Sequence, residues 1–156
     1  MRRLLTLTVA TAVALAAAPS ASAQEIAART PGAESFSLRN GTGRAVVSQR
    51  GAILGRIAAG RLVVVDIEAG GAPTVIVRGY ESREVLDARR TAYRGEGMSF
   101  RIFGGTWRAR IRGRGIYVSG VVRGWLTLIG TRGTFSIGDG PYRSWPRTLR
   151  TFRLAS

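Results

Sequence analysis

Shifted against itself by 64 residues, the chain sets Phe36 on Phe100 and stays in step, without a gap, through Val64 on Leu128. Gly41-Thr42 meets Gly105-Thr106, Arg44-Ala45 meets Arg108-Ala109, and Arg50-Gly51 meets Arg114-Gly115. Gly60 meets Gly124 and Leu62 meets Leu126, while Leu38/Ile102, Val47/Ile111, Leu54/Val118 and Ile57/Val121 keep apolar character. Dropping four residues from the loop around Ala69 to Pro73 also brings Thr74-Val75 onto Thr134-Phe135 and Val77 onto Ile137. Self-similarity at a fixed period marks a repeated structural unit. Whatever one copy forms, the other is expected to form as well.

Each copy reads as β structure, because apolar residues alternate with polar or small ones and β-branched residues are common. Strands are expected over 36–39, 44–49, 52–58, 61–67 and 74–78, and again over 100–103, 106–112, 116–122, 125–130 and 134–137, with a last strand over 148–154. Ala59-Gly60 and Arg123-Gly124 stand at matching places between apolar runs, where a two-residue hairpin turn needs a positive φ. Between the copies, Glu81 to Arg90 carries acids at its start and Arg89-Arg90 at its end, which suits the dipole of a short helix. About ten short strands must curl into a barrel or split into two packed sheets to bury a face. The expected fold is therefore all-β: a sandwich or barrel of two tandem pseudo-symmetric β-meander units (36–79 and 100–138), with a short linking helix. A stacked solenoid would need more and shorter repeats.

The chain opens on Met1-Arg2-Arg3, an apolar run from Leu4 to Ala18, and Pro19-Ser20-Ala21-Ser22-Ala23. A positive start, a short apolar stretch and a small-x-small end make a secretory signal peptide, with cleavage expected between Ala23 and Gln24. The run falls short of the roughly 20 apolar residues that span a bilayer. The protein is thus expected outside the cytoplasm, as residues 24–35 of flexible leader with Thr30-Pro31-Gly32 and a single domain over 36–156. With no cysteine, the core must hold without disulfides, which a domain of this size can do.

All 24 basic residues are arginine, against nine acids. Removing Arg2 and Arg3 lowers the formal charge from +15 to +13. Such an excess favours polyanionic partners, although the absence of lysine also fits a GC-rich coding sequence. The absence of histidine and cysteine removes the commonest general base, the thiol nucleophile and nearly all zinc sites. Asp66 and Glu68, at alternate positions, could pair as glycosidase carboxylates, but the second copy has Gly130 and Arg132 there. Asp139, in Gly138-Asp139-Gly140-Pro141, reads as a turn residue. No catalytic residue, cofactor or metal ligand is assigned.

The most informative local stretch is Trp107-Arg108-Ala109-Arg110-Ile111-Arg112-Gly113-Arg114. Side chains alternate across a strand, so Trp107, Ala109 and Ile111 face one way and Arg108, Arg110 and Arg112 the other, with Arg114 at the adjoining turn. Three guanidinium groups about 6.6 Å apart suit a polymer with regularly spaced anions, because guanidinium binds carboxylate or phosphate bidentately. The plainer reading is a solvated outer face that deters edge pairing, since the aligned first-copy positions are Arg44, Val46 and Ser48. Past Glu96 the only acid is Asp139, while Arg123, Arg132, Arg143, Arg147, Arg150 and Arg153 follow. Trp125, Tyr142 and Trp145 are candidates for stacking on sugar rings or bases, against the ordinary role of aromatics in packing.

The pattern Arg110-x-Arg-Gly-x-Gly-Ile-x-Val-Ser-Gly-Val-x-Arg-Gly-x-Leu-x-Leu128, followed by Gly138-Asp-Gly-Pro-Tyr142, resembles small secreted β-rich bacterial proteins of unknown function. The likeness covers the second half and implies no activity or site. The reading that results is an exported, non-catalytic β-domain binding an anionic envelope polymer or glycan through Arg108, Arg110, Arg112 and Arg114, with nucleic acid as another polyanion that would fit. A module assembling through sheet edges and a carboxylate-dependent hydrolase are the alternatives.

Overall fold

The computed structural model describes residues 32–67 and 71–154. The expected signal peptide and its cleavage site, most of the leader, and Glu68 lie outside the described residues.

The described residues form an all-β structure of seven strands and no helix: β1 (Glu34–Asp66), β2 (Thr74–Arg78), β3 (Ser82–Asp87), β4 (Arg90–Phe103), β5 (Trp107–Ile137), β6 (Arg143–Ser144) and β7 (Arg150–Leu154). They make one antiparallel sheet in the order β2-β4-β1-β5-β6, with β3 also on β4 and β7 also on β5.

Two of these strands are too long to be straight. The 33 residues of β1 would run about 110 Å if extended, whereas a domain of 100 residues has a radius of gyration of about 13 Å. The register shows how the length is taken up. Phe36 and Ile53, 17 positions apart, both pair with Gly120, and Gln49 and Asp66 both pair with Trp107. The β1–β5 ribbon therefore coils until its second half lies beside its first. In pairing order this gives five long runs, 124–137, 34–49, 107–122, 51–66 and 90–103, with β7 and β6 beyond the first and β2 and β3 beyond the last.

The coil turns where glycines line up. Gly130, Gly43, Gly113, Gly60 and Gly95 are successive cross-strand neighbours. At Gly60 (φ 158°) and Gly113 (φ 157°) the backbone is in a region that side-chain-bearing residues enter only under strain, and a Cβ on either would strike the facing strand's carbonyl oxygen. The buried side of the chain changes parity at this seam. In β5 it passes from Trp107, Ala109 and Ile111 to Ile116, Val118 and Val122, and in β1 from Ile53 and Ile57 to Leu62 and Val64. Both sets of buried side chains join one core, with Phe36, Leu38, Met98, Phe100, Leu126 and Leu128.

Three expectations are corrected here. Ala59-Gly60 and Arg123-Gly124 are not hairpin turns: the chain runs through both as strand, the glycine serving a corner in place of a reversal. Of the eleven expected strands, the four over 36–67 run together as β1 and the four over 106–137 as β5, and β3 and β6, not expected as strands, bring the total to seven. The stretch expected as a helix is instead strand β3 and a tight turn into β4, closed where Asp87 accepts the Arg89 N–H at 2.9 Å and pairs with Arg90. With all six β3 residues exposed, no apolar face was available to hold a helix against the core.

The registers also follow the 64-residue shift. Residues 36–39 pair with 134–137; moved by 64 and, with the four-residue loop difference, by 60, they become 100–103 with 74–77, the observed register of β4 on β2. The same operation takes the β5–β7 register to within one residue of that between β1 and the start of β4.

Candidate anion-binding site

The strand run 107–112 alternates as its sequence requires. Trp107, Ala109 and Ile111 are fully buried and Arg108, Arg110 and Arg112 exposed. The register then brings in arginines from elsewhere. Arg112 faces Arg44 on one side and Arg61 on the other, and Arg61 faces Arg94. Four arginines thus stand in a row across four neighbouring runs, spaced by about 4.8 Å between strands, just beside the glycine seam. The row and the column of Arg108, Arg110 and Arg112 cross at Arg112. Like charges directly opposite destabilise a sheet, and none of these six residues forms an ion pair among the described residues. Arg61 is half-buried, and its Nε is a buried donor without a hydrogen-bond acceptor among the described residues. Anions laid along the row would relieve the repulsion.

Sequence reasoning missed Arg44, Arg61 and Arg94, although a signal was present. Each row arginine adjoins a seam glycine, as Gly43-Arg44, Gly60-Arg61, Arg94-Gly95 and Arg112-Gly113. Arg114, by contrast, lies past the corner and leans toward Glu96 (3.7 Å), so it stands apart from the column.

At the far end of the column a cleft of about 570 Å3 opens, lined by Ser48, Gln49, Arg50, Ile67, Thr106, Arg108, Arg123 and Trp125. Across the strands the order is Arg153, Trp125, Ser48, Arg108, so the small Ser48 leaves a slot between the indole and the guanidinium. Trp125 is 43% exposed, with the Arg153 guanidinium 6.0 Å from its ring centroid. The Arg50 Nε–H donates to Thr106 Oγ1 at 3.1 Å, and Arg50 is the cross-strand partner of Arg123. Gln49 holds φ at 112°, which costs a non-glycine residue on the order of 1–3 kcal/mol.

The other two candidate stacking residues line no part of this cleft. Trp145 is buried; its ring fills the space left by the absent side chains of Gly41 and Gly130, and its indole N–H donates to the Thr134 carbonyl at 3.2 Å. Its role is packing, which corrects its place as a contact candidate. Tyr142 is exposed, but the Arg39 guanidinium lies over its ring at 4.1 Å. Hydrogen bonding to Ser37, then to Ser136, and the Arg39 charge hold its phenol below the usual tyrosine range. Two smaller hollows of about 360 and 370 Å3 meet at Leu54 and Gly55; there Arg56 is folded onto Tyr117 at 4.3 Å. Asp66 is half-buried at the end of β1, and its suggested partner Glu68 is outside the described residues.

No family model, curated protein or solved structure matches the chain. Among the described residues no helix is long and apolar enough to cross a membrane. The chemistry of the site therefore rests on its own residues, which offer guanidinium donors, one exposed indole and a few neutral polar groups.

Proposed function

We propose that the protein is an exported, non-catalytic β-domain that holds an anionic polymer of the cell envelope against its arginine face. The observation that carries this is the crossing of the Arg44-Arg112-Arg61-Arg94 row with the Arg108-Arg110-Arg112 column, six cations without ion pairs among the described residues. Surface charges gathered in this way raise the local concentration of a polyanion and speed its capture. The signal-peptide pattern of the first 23 residues and the formal +13 beyond it support export and an anionic partner. The register equivalences support reading the fold as two pseudo-twofold halves of a coiled, sandwich-like barrel; each half contributes two of the four row arginines if Arg94 is counted with the second.

The test is retention on immobilised polyuronate along a salt gradient. Replacing Arg44, Arg61 and Arg112 by Ser should bring elution markedly earlier than a charge-matched control in which the exposed Arg78, Arg101 and Arg147 become Ser. Equal elution of the two triple variants would show that net charge alone is responsible and would end the proposal.

A further inference from the structure

Seven residues of β1 and β5 hold φ between 107° and 158°; six are glycine, and the seventh is Gln49. Glycine would relieve the strain there, and this chain uses glycine freely at its corners. Gln49 is exposed, so burial of its side chain does not explain its presence. Its cross-strand neighbour Gly124 is bare, and a Cβ on Gly124 would fall 2.8 Å from Gln49 Cβ. A strained backbone and a cleared space thus set one amide at the cleft between Ser48 and Arg50. Local rules broken without a packing return point to function.

We infer that the cleft takes one acidic pyranose unit of the polymer, and that Gln49 is the residue that distinguishes it from other anions. This rests on the polyanion reading above. An anion alone would call only for guanidinium groups. The cleft adds a neutral amide that both donates and accepts, a serine hydroxyl, and an indole whose exposed surface suits the apolar face of a sugar ring. The sugar carboxylate pairs with Arg108 or Arg123 in bidentate fashion, the ring lies on Trp125 over Ser48, and the ring hydroxyls exchange hydrogen bonds with the Gln49 amide. A phosphodiester or polyphosphate would use the arginines and leave the amide idle.

Calorimetric titration with a galacturonic acid trisaccharide and with inorganic triphosphate tests this, together with thermal melting of the wild type and Gln49→Gly. The wild type should prefer the trisaccharide. Gln49→Gly should melt a few degrees higher, by release of strain, yet bind the trisaccharide about tenfold more weakly and triphosphate within twofold of the wild type. An unchanged trisaccharide affinity, or equal losses for both probes, would overturn the role of Gln49 while leaving the arginine face intact. Failure of the wild type to bind either probe would overturn this inference and the polyanion reading with it.

Discussion

A single hydroxyl offers a direct check on side-chain placement. The Tyr142 phenol is held below its ordinary range chiefly by hydrogen bonding to Ser37, with smaller help from Ser136 and the Arg39 charge. A group whose folded value is lowered adds stability that is fully present above its ordinary value and is lost as pH falls through the lowered one. Ser37→Ala should therefore move the Tyr142 titration up toward that of an ordinary tyrosine. The comparison is a phenolate absorbance titration, with Tyr142→Phe used to subtract the other tyrosines; identical curves for the wild type and Ser37→Ala would contradict the contact. The aromatic candidates also show what sequence can resolve. Trp125 is exposed because it follows the alternation of its strand. Trp145 and Tyr142 flank the two-residue strand β6, too short to show a period, and only the fold reveals that Gly41 and Gly130 open a place for the first and that Arg39 lies over the ring of the second.

At the scale of the strands, glycine carries the meaning. A glycine between two apolar runs can close a hairpin or turn a corner, and its local signal is the same in both. What separates the two is the pairing: Gly60 faces Gly113 and Gly95, partners far away in sequence. This is why the β character and the apolar faces were legible while strand number was not. Gly60→Ala and Gly113→Ala should each destabilise by at least about 2 kcal/mol, from the strained φ and the clash with a facing carbonyl. Differential scanning calorimetry should read this as a fall in Tm of several degrees. A change of under a degree in both would refute the corner geometry. The misreading of Glu81 to Arg90 has another cause: charges suited to helix ends are cheap to place in an exposed edge strand, where they also discourage pairing with another chain.

For the molecule as a whole, half of the candidate site was legible. Arg108, Arg110 and Arg112 follow from period-two alternation within one strand. Arg44, Arg61 and Arg94 join them only through the register of a ribbon coiled 17 residues per turn, which no local pattern encodes. The formal charge of the chain favours an anionic partner and says nothing of where one would lie. Convergence of separate arginines on one face is the central claim, and the salt dependence of binding tests it most directly. Each cation that displaces a bound counterion adds close to one unit to the slope of log K against log salt, by analogy with nucleic acids. Measured on soluble polyuronate, replacement of Arg44, Arg61 and Arg112 by Ser should make the slope shallower by about two to three units, whereas the Arg78, Arg101 and Arg147 control should shift it by less than one. A slope unchanged by the first triple, or changed equally by both, would contradict the account.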